Sequence, residues 1–261
     1  MIRRRPDLLA LIVALASTLA VLAFVGGDLI LSRERELALG AARTEQFGTM
    51  LGEHTARSYG ALNVLLSEIA SDLSSNHQDW PSWEASRGWT YVAQRHTRSL
   101  PQLRDLVIAD RDGGQRFIST YFPPPRVNFR DRPYFTALEQ GSPAIGFGPI
   151  IGRNSGRYTY ALARRIDDGG GNFAGIVIAA IEPGYFSDHC WSSRLADDFE
   201  SVIINARGQV VASCRPADLS KQSPILGALA TDVLHDGRLR DWLPASGVAR
   251  GNGLIASLSP V

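Results

Sequence analysis

The stretch Leu103-Arg-Asp-Leu-Val-Ile-Ala-Asp110 is followed by Arg-Asp-Gly-Gly and then by Gln115-Arg-Phe-Ile-Ser-Thr-Tyr121. Its two outer parts are rich in β-branched and aromatic residues, which favour strands, and the glycine pair between them is typical of a tight turn. The sequence therefore predicts an antiparallel hairpin. This hairpin begins the part of the chain in which predicted strands replace predicted helices.

Three further segments carry the same strand pattern: Ala144–Ile150, Arg157–Ile166 and Phe173–Glu182. The last two are joined by the glycine-rich turn Asp167-Asp-Gly-Gly-Gly-Asn172. Helices precede these strands and do not alternate with them. The predicted fold class is therefore α+β, with an antiparallel sheet.

The hairpin pattern returns about 95 residues later, because Glu200–Ser213 reads like Asp105–Ser119 with one turn residue fewer. Two hairpins can resemble each other by chance, but the repeat suggests two tandem sheet modules. After the second hairpin we expect a helix over Pro224–His235 and a strand from Gly253 onward. The sequence stops where that strand should turn back, so we expect an incomplete second module and a longer natural protein.

The amino-terminal segment is apolar and follows a basic tip. Leu8–Gly27 holds no charged residue, and its length of about 20 residues suits a helix that spans a bilayer. Arg3–Arg5 favour a cytoplasmic amino terminus, which places the residues after about 31 on the outer side. A cleaved signal peptide is the alternative, although the apolar run is longer than the usual ~7–15 residues.

The next segment, 32–100, is predicted to be helical. Ser32–Ser75 contains no proline, and its apolar residues recur at helical steps, which indicates one long helix that leaves the membrane. Trp80–Thr97 is a second helical segment, in which Pro81 suits the first turn.

Charge and motifs exclude several functions. The 27 basic and 26 acidic residues leave a net charge of +1, so the sequence predicts no nucleic-acid partner. It contains no nucleophile elbow and no phosphate-binding glycine loop, and we expect a segment that is not an enzyme and uses no cofactor. Cys190 and Cys214 could form a disulfide or remain two separate thiols, and neither has the spacing of a metal site.

The segment Val127–Leu138 follows three stiff prolines and carries the candidate ligand-binding residues. Asp131 is expected to cap a helix in which Pro133 is an early residue. Arg132 would then lie in the first turn, where a guanidinium can bind a carboxylate or phosphate with two hydrogen bonds. Tyr134 could form an apolar wall of the same site.

Each of these side chains also has a purely structural interpretation. Arg132 could pair with an internal carboxylate or a loop carbonyl. Phe135 is expected in the core, and Arg126 and Arg130 are expected to face solvent. Three further tyrosines are candidates for ligand contact: Tyr121, Tyr158 and Tyr160. Of the last two, which share a predicted strand, we expect one to face the pocket and the other not to.

Four motifs in order and spacing resemble the double Cache sensor domains of bacterial transmembrane receptors: Leu106–Gly113, Asp131–Phe135, Gly156–Arg164 and Phe173–Phe186. These are PAS-like, periplasmic α+β modules of histidine kinases, chemoreceptors and diguanylate cyclases. The resemblance covers roughly Leu31 to the end of the sequence. It implies a protein of the bacterial inner membrane, a second span beyond Val261, an output domain and a homodimer.

The resemblance also implies a ligand pocket in the membrane-distal module. One subfamily binds amino acids through a motif in which only Arg132 is matched here. Val127 and Leu138 depart from that motif, and the position of its amine-binding aspartate falls near Ala180. These departures argue against an amino-acid ligand.

The resemblance implies four segments. They are a cytoplasmic tip and membrane helix (1–31), a helical connection (32–100), a distal module (101–190) and an incomplete proximal module (191–261). The first hypothesis is a receptor segment that binds a small, perhaps anionic, ligand in the distal module. The second is a dimerisation or protein-docking module without a ligand. A membrane-anchored hydrolase is disfavoured for want of a nucleophile and base pair.

Overall fold

The computed structural model describes residues 6–96, 100–182, 184–186, 188, 202–204, 210–213, 247–251 and 254–258. It combines a long amino-terminal helix with antiparallel sheets, as the sequence predicts. The described residues between 51 and 239 form one compact unit, which contains the main sheet. The described residues of 6–50 and 247–258 form another. Cys190, Cys214 and the helix expected over Pro224–His235 lie outside the described residues.

The first helix, α1, is continuous over Pro6–Ser75. The apolar segment and the periodic segment of the sequence therefore form a single helix. No proline occurs in it after Pro6, and the Gly26-Gly27 pair is accommodated within it. Its carboxyl-terminal half buries one stripe at steps of three and four residues: Leu62, Leu66, Ile69 and Leu73.

The second helical segment is divided, which corrects the single helix predicted for Trp80–Thr97. Trp80–Ser82 forms one 3-10 turn with Pro81 at its start, and α2 covers Ala85–Arg95. Trp83 lies between them in an extended conformation (φ −61°, ψ 145°). Its indole is buried against α2 and Phe117, so burial of the ring takes precedence over helix continuity.

The main sheet has five antiparallel strands in the order β2-β1-β5-β4-β3. The strands agree with the predicted ones to within three residues: β1 Leu103–Asp110, β2 Gln115–Ile118, β3 Ala144–Ile151, β4 Tyr158–Asp167 and β5 Phe173–Ile181. A short helix, α3 (Pro133–Glu139), lies in the connection between β2 and β3.

Both faces of the sheet are covered, and successive residues of a strand point to opposite sides. In β1, Leu106 and Ile108 pack against α1 and α2, whereas Val107 and Ala109 pack against α3. In β5, Val177 packs on the side of α1 and α2, and Ile178 packs on the side of α3. Two-sided burial explains why these strands are continuously apolar in sequence.

Two strand pairs follow the main sheet in the chain. β6 (Val202–Ile204) pairs antiparallel with β7 (Val210–Ser213), which confirms the hairpin predicted from the internal repeat. β8 (Gly247–Gly251) pairs antiparallel with β9 (Leu254–Leu258), the strand expected near the end of the sequence.

Candidate ligand-binding site

The β1–β2 turn brings the segment before α3 close to the sheet. The Asp110 carboxylate accepts hydrogen bonds from the amides of Asp112 (3.1 Å) and Gly114 (2.8 Å). Gly113 has a φ of +80°, and a Cβ there would lie 2.6 Å from the amide nitrogen of Arg130. Only glycine suits both this conformation and this close approach.

The start of α3 is held by backbone hydrogen bonds. The amide of Gln115 donates to the carbonyl of Val127 (2.8 Å), and the amide of Phe129 donates to the carbonyl of Gly113 (2.8 Å). Arg132 is the capping residue, in an extended conformation, and Pro133 begins the helix. The sequence prediction of Asp131 as the cap is wrong, because its carboxylate has another partner.

That partner is Arg153, in the turn between β3 and β4. Its Nη2 donates to Oδ2 of Asp131 (2.6 Å), and its Nη1 donates to the backbone carbonyl of Asn128. The hydrogen bond and charge of Arg153 hold the pKa of Asp131 below its ordinary value. Arg153 therefore ties the β3–β4 turn to the segment that leads into α3.

A cavity of about 40 Å³ lies between the sheet, the segment before α3 and the β3–β4 hairpin. Its volume exceeds several-fold the ~10–15 Å³ that one water molecule needs. Four apolar side chains of β1, β4 and β5 line it: Val107, Ala161, Ile178 and Ala180. Four further apolar or aromatic side chains come from β3, from α3 and from the segment before α3: Phe147, Ile150, Tyr134 and Phe129.

An irregularity in β3 directs two of these side chains into the cavity. Phe147 and Ile150 are three residues apart and would face opposite sides of a regular strand, but the pairing with β4 shifts between them. The ring of Tyr134 stacks on Phe147 at a centroid distance of 3.7 Å. Burial raises the pKa of Tyr134 to about 12, so its hydroxyl stays protonated at neutral pH.

Arg132 also lines the cavity, and its guanidinium is only partly used by the protein. Nη2 donates to the backbone carbonyl of Ile151 (3.1 Å). Nε is buried and has no hydrogen-bond partner among the described residues, which also provide no ion pair for Arg132. A buried donor left unpaired costs about 1–3 kcal/mol, a cost that a bound acceptor would remove.

The other charged groups of the cavity are paired within the protein. Arg104 donates from Nε to Asp105 (2.9 Å) and from Nη2 to Thr159 (2.9 Å). The second oxygen of the buried Asp105 carboxylate accepts a hydrogen bond from the Thr120 hydroxyl (2.7 Å). Asp131 pairs with Arg153 and also interacts electrostatically with Arg132, so these described groups leave one net positive charge at the site.

Asn154 adds an unpaired acceptor to the same cavity. Gln115 donates from Nε2 to the carbonyl of Pro125 (3.2 Å), so its Oε1 is the atom that faces Asn154. Nδ2 of Asn154 donates to that oxygen (2.7 Å). Oδ1 of Asn154 is then left buried without a partner among the described residues. The fixed Pro125 carbonyl thus determines the orientation of both amides.

The fold was compared with known proteins. No protein-family model and no curated protein sequence matches the chain. Solved structures do match. The extracellular domain assigned to a histidine kinase, rpHK1S-Z16, is 27% identical with a TM-score of 0.57, over 67% of this chain and 70% of that one.

Two chemoreceptor domains are similar over more of the chain. The ligand-binding domain of Pseudomonas fluorescens CtaA, solved with L-isoleucine, is 14% identical with a TM-score of 0.55, over 86% of both chains. The sensory domain of Campylobacter jejuni Tlp3, solved with isoleucine, is 9% identical with a TM-score of 0.58, over 84% of this chain and 86% of that one. The fold is that of the Cache-type sensor domains.

One of these neighbours is an extracellular domain assigned to a histidine kinase, and the other two are a ligand-binding domain and a sensory domain of chemoreceptors. The amino-terminal helix is long and apolar enough to cross a membrane. Its apolar side chains between Leu11 and Leu31 are exposed, so this part is not the core helix of a soluble domain.

The Cache-type fold brings together two of the five predicted ligand-binding residues, Arg132 and Tyr134. Tyr121 and Tyr158 are about half exposed and do not line the cavity. Tyr160 is buried on the opposite face of the sheet, against α1. Residues two apart in a strand share a face, so the expectation that one of Tyr158 and Tyr160 faces the pocket is wrong, and Thr159 does so instead.

Among the polar residues of the cavity that sequence reasoning missed are Arg104, Asp105, Arg153 and Asn154. The first two begin β1, and the other two lie in the turn before β4. Strict alternation along β4 would have identified Thr159 and Ala161. No local pattern identifies the rest, because the order of strands in the sheet brings them to α3.

Proposed function

We propose that the chain is the extracytoplasmic ligand-sensing part of a membrane-bound receptor. Residues 1–31 anchor it in a bacterial inner membrane, and 32–100 connect the membrane to the distal module. Residues 101–190 bind a small anionic ligand, and 191–261 form the start of a second module. A homodimer, a second span and an output domain beyond Val261 complete the proposal.

The observation that carries the proposal is the state of the Arg132 guanidinium. It lies in a largely apolar cavity, where it donates to one backbone carbonyl and keeps a buried Nε unpaired among the described residues. A ligand-free docking module would favour an arginine closed on an internal carboxylate. The positive charge and the unpaired donor both suit a carboxylate or another planar anion.

The test is ligand-dependent thermal unfolding of the full chain in lipid nanodiscs, followed by tryptophan fluorescence against a panel of small anions. A bound ligand stabilises the folded state and raises Tm. We expect a shift that Arg132→Ala abolishes and that Arg130→Ala retains, because the Arg130 side chain is exposed and outside the cavity. Equal loss in both variants, or no shift with any anion, would contradict the proposal.

A further inference from the structure

We propose that the cavity binds a small monocarboxylate that carries an uncharged hydrogen-bond donor, a hydroxy acid, and discriminates against the corresponding amino acid. This inference rests on the proposed function and specifies its ligand. The two chemoreceptor domains described above were solved with isoleucine, so a hydroxy-acid ligand would distinguish this chain from them.

Arg132 supplies the anion-binding end. Its Nε is a buried donor without a partner among the described residues. The Asp131 carboxylate interacts electrostatically with both Arg153 and Arg132, and one carboxylate can balance only one of these two charges. Arg104 and Arg153 also line the cavity but are occupied by Asp105 and Asp131. The site therefore provides one net positive charge, which suits one carboxylate rather than two.

Asn154 supplies the second contact. Its Nδ2 is fixed on Gln115, so the group left for a ligand is the acceptor Oδ1. This oxygen is buried in the present structure, so a small movement of the side chain has to expose it to the ligand. An acceptor requires a donor on the ligand, and a hydroxyl or an ammonium could provide it. A plain fatty acid would leave this oxygen unpaired.

Charge decides between hydroxyl and ammonium. Among the described lining residues the one carboxylate is Asp105, and its charge is already balanced by the Arg104 guanidinium, whose Nε lies 2.9 Å from Oδ2. An ammonium would thus enter a positively charged cavity without a free carboxylate, and a buried charge without a partner is strongly disfavoured. A hydroxyl donates to Asn154 without that penalty.

The size of the cavity limits the ligand. A volume of about 40 Å³ is small compared with the ~300–1,000 Å³ of drug-sized sites. Its apolar walls, Val107 and Ala161 on the sheet and Phe147 opposite, leave room for a short hydrocarbon part. Lactate, propionate and alanine match this scale and differ only in a hydroxyl, a hydrogen or an ammonium at C2.

The experiment is isothermal titration of the full chain in nanodiscs with four probes: lactate, propionate, alanine and methyl lactate. Both enantiomers of lactate and alanine are used. We expect lactate to bind most tightly and propionate about threefold to tenfold more weakly, the effect of one neutral hydrogen bond. Alanine and the uncharged ester should bind at least about tenfold more weakly than lactate.

Variants assign the contacts. Asn154→Ala should weaken lactate binding to the level of propionate and leave propionate unchanged, whereas Asn172→Ala, in the exposed β4–β5 turn, should change neither. Asn154→Asp adds a carboxylate and should favour alanine over lactate. Asn154→Asp therefore tests the same contact even if Asn154→Ala does not fold.

The outcomes separate the two proposals. Equal affinities for lactate and propionate, or tighter binding of alanine than of lactate to the unaltered chain, would overturn the hydroxy-acid inference while anion sensing stands. Binding of none of the four probes would also overturn the hydroxy-acid inference. Anion sensing itself is overturned if the wider panel of anions gives no shift in Tm either, or if binding survives Arg132→Ala.

Discussion

Arg132 and Tyr134 were identifiable from sequence because the information about them is local. The three prolines before the segment, the extended capping position of Arg132 and the proline at the start of α3 direct both residues to one site. The partner of Arg132 could not be identified in the same way, because Ile151 lies 19 residues away. Asn154 could not be identified either, because it reaches the cavity only through the β3–β4 turn. The error over Asp131 has the same origin, since its carboxylate binds a residue 22 positions later.

Phe135 was predicted as a core residue, and its ring is fully buried against Phe173. Phe135→Ala should lower the free energy of unfolding by about 3–5 kcal/mol, through lost burial and the cavity left behind. Urea unfolding of the full chain in detergent micelles would measure the loss.

Phe122 is the matched control, because its ring is 55% exposed. Phe122→Ala should lower the free energy of unfolding by less than about 1 kcal/mol. Similar losses in the two variants would contradict the description of the core beneath α3.

The packing of α2 on β2 depends on a glycine. A Cβ at Gly88 would lie 1.9 Å from the buried ring of Phe117, so Gly88→Ala should lower the free energy of unfolding by about 1–3 kcal/mol. Gly60 is an exposed glycine within α1, with nothing near the position of a Cβ. Gly60→Ala should instead raise that free energy by up to about 1 kcal/mol. A loss in both variants would contradict the close contact between α2 and β2.

The end of α1 is joined to α2 through Asp72. Its carboxylate accepts hydrogen bonds from Tyr91 Oη (2.7 Å), Arg95 Nη2 (2.8 Å) and Asn76 Nδ2 (3.0 Å). Partial burial acts to raise the pKa of Asp72, but these hydrogen bonds and the charge of Arg95 lower it below the ordinary value of 3.8.

A lowered pKa in the folded state means that this stabilisation is complete above the ordinary pKa and is lost as the pH falls through the folded value. Asp72→Asn should therefore lower the free energy of unfolding by about 1–2 kcal/mol at pH 7, the scale of a charged hydrogen bond that is partly exposed. The difference should shrink below about pH 4. Urea unfolding at several pH values measures it, and a difference that grows in acid would contradict the assignment.

At the scale of elements, strands were predicted better than helices. Strand bounds follow from side-chain alternation and glycine turns, which are local. The division of Trp80–Thr97 was not predicted, because it follows from burial of Trp83 among residues distant in sequence. The continuity of α1 from the apolar segment to Ser75 agrees with the long helix predicted to leave the membrane, since a glycine pair need not end a helix.

At the scale of the molecule, the account predicts the orientation of the chain across a membrane. Alkaline phosphatase fused after Val261 should be active in cells, and a fluorescent protein that folds only in the cytoplasm should be dark there. Replacing Arg3–Arg5 by alanine should reduce phosphatase activity, because these charges favour a cytoplasmic amino terminus. The opposite pattern for the two reporters would contradict the proposed location.

The central claim, that this Cache-type chain senses a small anion held by Arg132, is tested most directly by a crystal structure of the chain grown with lactate. The account predicts one lactate between α3 and the sheet, with its carboxylate on Arg132 and its hydroxyl on Asn154. Lactate bound elsewhere, or a cavity without it in which Arg132 has closed on a carboxylate of the protein, would contradict the claim.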